Sequence, residues 1–125
     1  MKTFLSSLII FTFLGINQSV FAQNNLDLKT FVQKLKSTPD AQLLDVRTPK
    51  EWSEGKINTA QGINVMDDSF KQQVEKLDKD KPVFVYCKAG SRSAKASKVL
   101  KEAGFKHIYN LEGGGYADLV KEGLK

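Results

Sequence analysis

At 125 residues, with 41% hydrophobic and 26% charged side chains, the chain suits one compact domain, not two, and is too apolar to be disordered throughout. Its formal charge of +5 could speak for nucleic acid, but the lysines are dispersed and no basic run or aromatic RNA-binding motif occurs, so the charge reads as a solvated basic surface without a nucleic-acid partner. One cysteine cannot form an internal disulfide, and one histidine leaves a zinc site short of ligands.

In chain order, Lys2 forms a short positive region, and Phe4 to Leu14 is an apolar run. Val20-Phe21-Ala22 then offers small residues at the positions a signal peptidase reads. Residues 1–22 are therefore predicted to be a cleaved secretory signal, and residues 23–125 one domain in the periplasm or outside the cell. The apolar run is short and broken by Asn17-Gln18-Ser19, so no stable membrane anchor is expected, and no cysteine follows to carry a lipid. In an oxidising compartment a free thiol is a liability unless it does chemistry.

Gln23-Asn24-Asn25 reads as a frayed leader. Asp27 is placed to cap a helix carrying Leu28, Phe31, Val32 and Leu35, which Ser37-Thr38-Pro39-Asp40 breaks. Gln42 to Val46 is a short buried strand, and Thr48-Pro49-Lys50-Glu51 has the form of a capping box with proline at the first helical position. That small helix carries Trp52, read as core, and stops at Gly55. Arg47 and Glu51 lie four apart and are expected to pair with each other. Ile63-Asn64-Val65 is a second strand. Asp67-Asp68-Ser69 caps a helix with Phe70, Val74 and Leu77 as its apolar stripe. After the strand at Val83 and its helix, Gly104 ends that helix and Lys106 to Asn110 is the last strand. Leu111 to Tyr116 reads as a flexible loop and Ala117 to Gly123 as a final helix. Brief apolar strands alternating with helices predict an α/β domain, a mainly parallel sheet with helices on both faces, whose ligands gather at the carboxyl ends of the strands. Asp45 and Cys87 both fall at such ends, Asp45 either pairing with a loop cation or making a structural hydrogen bond.

The stretch that carries chemistry is Val83-Phe84-Val85-Tyr86, then Cys87-Lys88-Ala89-Gly90-Ser91-Arg92-Ser93. A buried strand runs into a tight cationic loop and then a helix with Ala96, Val99, Leu100 and Ala103 on one face. Gly90 permits the sharp turn, and Ser91 or Ser93 is placed to cap the helix. Such a turn aims backbone N–H groups and the positive end of a helix at one spot, beside Lys88 and Arg92. The first anion favoured there is the Cys87 thiolate. His107, on a strand, reads as a surface or packing residue.

Taken together, the chain resembles the rhodanese-like (sulfurtransferase) family, specifically its single-domain exported members, across residues 26–124. Leu44-Asp45-Val46-Arg47 with Glu51-Trp52 is similar to the family's first strand and "D-x-R…E-(aromatic)" segment. Gly55-Lys56-Ile57 through Ala60 to Ile63-Asn64 is similar to its "G-H-I-x-G-A-x-N" loop. Cys87 to Ser93 has the spacing C-x-x-G-x-R-S of the active loop, and Asn110-Leu111-Glu112-Gly113-Gly114 matches the closing "L-x-G-G" turn. Lys56 replaces the usual histidine, Gln61-Gly62 shifts the second motif by one residue, and Tyr116 stands where tryptophan is common. None of these departures touches the active loop.

The resemblance implies a sulfurtransferase without metal or organic cofactor. Cys87 would attack the outer sulfur of a small anionic donor such as thiosulfate and become a persulfide. The N–H groups of Ala89, Gly90, Ser91 and Arg92 would cradle that sulfur, Lys88 and Arg92 would hold the donor, and a thiol or cyanide, or a protein thiol, would accept it. A non-catalytic persulfide-carrying module is one alternative, and a phosphatase or arsenate reductase on the same fold another. Against the latter, four residues separate Cys87 from Arg92, whereas phosphate- and arsenate-handling relatives have a loop one residue longer. A wider ring of N–H groups is what a tetrahedral oxyanion needs.

Overall fold

A computed structural model describes residues 22–125. The elements are β1 (Ala22–Leu26), α1 (Leu28–Ser37), β2 (Gln42–Asp45), α2 (Pro49–Glu54), β3 (Gln61–Gly62), α3 (Phe70–Val74), β4 (Val83–Tyr86), α4 (Ser91–Glu102), β5 (His107–Leu111) and α5 (Tyr116–Lys121). The five strands form one sheet in the order β1-β5-β4-β2-β3, every pair parallel. The signal segment expected over residues 1–22 lies almost wholly outside the described residues. No helix among those described is long and apolar enough to cross a membrane.

Local chemistry explains most element ends. The Asp27 carboxylate accepts the Thr30 N–H at 2.9 Å and starts α1, whose Phe31 and Val32 are buried. At α2 the capping box is complete: the Glu51 N–H donates to Thr48 Oγ1, the Thr48 N–H donates to Glu51, and proline follows the cap.

Several boundaries differ from the sequence reading. Gln23-Asn24-Asn25 is not a frayed leader but the body of edge strand β1, paired with Ile108, Tyr109 and Asn110 of β5. Polar side chains hid it, yet an edge strand needs few apolar ones. The strand expected at Ile63–Val65 is assigned to Gln61–Gly62, although the Ile63 and Val65 N–H groups still donate to the carbonyls of Asp45 and Val46. The last strand is displaced by one residue, because the Lys106 N–H donates to the Lys79 carbonyl at 3.1 Å instead of joining the ladder. Before α3 the Asp67 carboxylate binds the N–H and hydroxyl of Ser69 without capping the helix, which ends at Val74 and leaves Leu77 beyond it. Trp52 is only half-buried, lying flat over Gly62.

The sheet separates two apolar clusters, and β4 feeds both by alternation. Val83, Val85 and Cys87 join Leu44, Val46 and Ile108 beneath Phe70 and Val74 of α3 and Ala96 and Leu100 of α4. Phe84 and Tyr86 join Leu43 and Leu111 beneath Phe31 and Val32 of α1 and Leu119 of α5. From β2 the chain moves outward to edge strand β3, and from β4 it moves the other way to β5. The carboxyl ends of neighbouring β2 and β4 thus flank the point where the winding reverses, where a crevice opens in such sheets.

Candidate active site

Cys87 follows the last residue of β4 and is buried at 1% exposure. Its sulfur accepts the Gly90 N–H at 3.0 Å, and Ser93 Oγ lies 3.5 Å away. Gly90 reaches this position with φ of 108°, in the left-handed region that glycine favours. A sequence cap from Ser91 or Ser93 was expected for α4, but Gly90 occupies the cap position and no side-chain oxygen caps it. In place of a serine cap, the sulfur gathers the N–H groups of Ala89, Gly90 and Ser93. The Ser93 hydroxyl instead donates back to the Gly90 carbonyl at 3.0 Å.

Burial pushes the Cys87 thiol up, but the Ser93 hydroxyl and the N–H groups of Ser93, Gly90 and Ala89 together outweigh it and hold the thiol below its ordinary value. Hydrogen bonds to sulfur are thus the main support of the thiolate, and the Arg92 charge acts on it as well. Lys88, Ala89 and Ser91 are exposed around it.

The cations are arranged differently from the sequence expectation. Arg92 does not stand free beside the sulfur: its Nη1 and Nη2 donate to the two carboxylate oxygens of Glu51 at 2.5 and 2.9 Å. That paired guanidinium, more than any other contact, holds the Glu51 carboxyl down at about 2. Glu51 consequently does not pair with Arg47. Arg47 forks onto Asp45, Nε and Nη2 donating at 2.9 and 2.7 Å, and Nη2 also reaches the Gly55 carbonyl at 2.7 Å. Of the two readings for Asp45, the structural hydrogen bond holds: it accepts Arg47 and, at 2.8 Å, the Tyr86 hydroxyl. All three are buried, and burial first, then the Asp45 charge, drives the Tyr86 hydroxyl upward from its ordinary value.

Residues that sequence reasoning passed over complete the site. The Leu111–Tyr116 segment is packed against the loop rather than standing off from it as a flexible one would. The Tyr116 N–H donates to the Cys87 carbonyl at 2.9 Å, and a Cβ on Gly115 would run into the carbonyls of Lys88 and Cys87. The Tyr116 ring lies under Arg47, 4.1 Å from the guanidinium carbon. Gly113-Gly114-Gly115 had suggested freedom, whereas the requirement at Gly115 is close approach. Glu51 was legible as a capping residue and as a partner for Arg47, but not as the partner of Arg92, which lies 41 positions away.

The active loop, the Asp45–Arg47 segment and the Gly-Gly turn are thus brought to one end of the sheet. Among the described residues no group of three or more His, Cys, Asp or Glu could hold a metal ion.

A nucleophile at a parallel-strand end, wrapped by a short loop that opens a helix, is the architecture of a rhodanese fold, and comparison with known proteins agrees. The model of the rhodanese-like domain family matches residues 28–118. The chain belongs to the rhodanese-like domain family. A sulfurtransferase of Allochromatium vinosum is 33% identical over 91 residues, covering 73% of this chain and 83% of that protein. The uncharacterized protein YqhL of Bacillus subtilis is 42% identical over 74 residues, 59% of this chain and 57% of that one. The chain spans only about a quarter of the tRNA uridine(34) hydroxylases it also matches, as in Sodalis glossinidius, at 38% identity over 66% of this chain and 25% of that one. Among solved structures, the rhodanese-like domain of an Anabaena protein superposes with TM-score 0.69 at 25% identity, covering 82% of this chain and 77% of that one. The polysulfide-sulfur transferase homodimer of Wolinella succinogenes does so with TM-score 0.64 at 36% identity, covering 82% and 76%.

Proposed function

We propose that the protein is a sulfurtransferase that carries sulfane sulfur as a persulfide on Cys87. The observation that carries this reading is the sulfur held among loop N–H groups, with Gly90 at 3.0 Å and the thiol below its ordinary value. In the first half-reaction the Cys87 thiolate attacks the outer sulfur of thiosulfate or a similar anionic donor. The new S–S bond forms as the donor's S–S bond breaks and sulfite leaves with the electron pair. In the second half, a thiolate or cyanide attacks the outer sulfur, takes it, and returns Cys87 as thiolate. The loop N–H groups stabilise the anionic sulfur in both halves, at no cost of reorganisation.

Because Glu51 occupies Arg92, the attraction for the donor's anionic end falls to exposed Lys88, and Arg92 serves to set the loop. Ala89, Gly90 and Ser91 contribute backbone. No metal or organic cofactor takes part, and the partners are a small donor and a thiol acceptor, free or on a protein. Incubation with thiosulfate should leave Cys87 one sulfur heavier, reversibly with reductant, and Cys87→Ser should not load. Loading without turnover onto cyanide or thiols would make it a carrier module instead. Efficient hydrolysis of an aryl phosphate, lost in Cys87→Ser, would make it a phosphatase and end this reading.

The leader pattern supports export with cleavage before Gln23. N-terminal sequencing of the protein from its own cells tests it, and recovery of Met1 in the membrane fraction would overturn it.

A further inference from the structure

Beside the active loop lies a recess of about 290 Å3 lined by Arg47, Glu51, Glu54, Lys88, Tyr116 and Ala117. Its walls touch the catalytic loop at three places: Lys88 follows the nucleophile, Glu51 holds Arg92, and the Tyr116 N–H holds the Cys87 carbonyl. Four of the six lining residues are charged, and their partners divide them. Glu51 is matched by Arg92, and Arg47 by Asp45. Lys88 and Glu54 make no ion pair among the described residues, so one unmatched charge of each sign faces the recess. Arg47, 4% exposed, spends Nε and Nη2 on Asp45 and Gly55, while its Nη1 makes no hydrogen bond among the described residues. A buried guanidinium with a spare donor in the wall of a pocket is a built anchor for a carboxylate.

We propose that this recess is the acceptor site and that it takes a small thiol bearing both a carboxylate and an ammonium, an amino-acid thiol of the cysteine type. The proposal rests on the sulfurtransferase reading and names its second substrate. The carboxylate is taken by Lys88 and Arg47 Nη1, and the ammonium by Glu54. The volume lies at the lower end for small-molecule sites, which favours an amino acid over a larger peptide. The unmatched charges of Lys88 and Glu54 sum to zero, so a thiol with one of each sign satisfies both, whereas a purely anionic thiol pairs with Lys88 and leaves Glu54 unmatched. In the step itself the acceptor thiolate attacks the outer sulfur of the Cys87 persulfide. One S–S bond forms on the acceptor as the one to Cys87 breaks, and Cys87 departs as thiolate.

The test is single-turnover discharge. The protein is loaded with thiosulfate, freed of donor, and mixed with cysteine, cysteamine, 3-mercaptopropionate or cyanide while the mass of the intact chain is followed. With rates referred to thiolate concentration, cysteine should discharge about twofold to fivefold faster than either singly charged thiol, the scale of one partly screened ion pair. Glu54→Gln should remove the advantage of cysteine over 3-mercaptopropionate and leave discharge by cyanide unchanged. Normal loading with no preference for cysteine, or an equal slowing of cyanide in Glu54→Gln, overturns the acceptor site alone. Failure to load at all overturns the sulfurtransferase reading, and the acceptor site with it.

Discussion

The two faces of the sheet meet at β4, where neighbouring residues have been given opposite tasks. Cys87 points to the aliphatic face, under α3 and α4, where it clusters with Val83, Val85, Ala96 and Leu100. Tyr86 points to the face of α1 and α5, where its hydroxyl joins the buried Asp45–Arg47 pair. An apolar face cannot stabilise an anion by itself, so the sulfur depends on the few N–H groups at the start of α4. The other face holds the ionic bonds that tie the ends of β2 and α2 to Tyr116, and through Tyr116 to the Cys87 carbonyl. One side of the strand does the chemistry and the other holds the frame, because alternation sends successive side chains to opposite faces.

The sharpest way to break this division is to change each neighbour in turn. Cys87→Ala should lower sulfur transfer by at least about a thousandfold and leave stability within about 1 kcal/mol, since only a small buried sulfur is lost. Tyr86→Phe should do the reverse. Transfer stays within a few-fold, while urea titration shows a loss of about 1–3 kcal/mol from the hydrogen bond that Asp45 forfeits. Equal activity losses in the two variants would mean the faces are not separate.

Next in size is the contact that joins the faces. Gly115→Ala places a Cβ against the backbone of Lys88 and Cys87, which cannot yield without moving the loop. A displacement of that kind should cost about a hundredfold in kcat/KM with the far-UV spectrum retained. A variant with unchanged kinetics would show that the turn does not set the loop.

The ion pair Arg92–Glu51 should show itself in acid. The Glu51 carboxyl is depressed from its ordinary 4.5 to about 2, so the folded state favours its charged form. Its contribution is complete above pH 4.5 and is lost as the pH falls from there to about 2. Glu51→Gln should therefore be less stable at neutral pH, by about 1–2 kcal/mol for a partly exposed bidentate pair, with the gap closing over that window. A gap that is constant with pH would assign the effect to lost capping instead. The smallest change is expected from Tyr116→Leu, which keeps the N–H to Cys87 but removes the ring beneath Arg47. It should cost about 0.5–2 kcal/mol in a thermal melt and little activity.

Much of this was legible in the chain because the signals are local. Asp27 and the Thr48–Glu51 box start their helices through bonds spanning three residues, and the Val83–Tyr86 run followed by Cys87 and Gly90 marks a strand, a nucleophile and a turn within eight positions. The parallel α/β class followed from strands and helices in alternation. What escaped were pairings chosen at a distance. Helical spacing offered Arg47 to Glu51, but each found a partner with better geometry: Asp45 for the one, and Arg92, 41 positions on, for the other. Strand β1 carries no apolar pattern and exists because β5 offers it a ladder.

By itself the sequence determined the class of fold, the place of Cys87 at a strand end and the length of its loop, since each depends on neighbours within a turn or a strand. Only the tertiary structure decided which charges are spent and which remain. An ion pair belongs to whatever the fold brings within hydrogen-bonding reach, and that assembly paired Arg92 and Arg47 internally, left Lys88 and Glu54 without an ion pair among the described residues, and pressed Gly115 onto the backbone of the nucleophile.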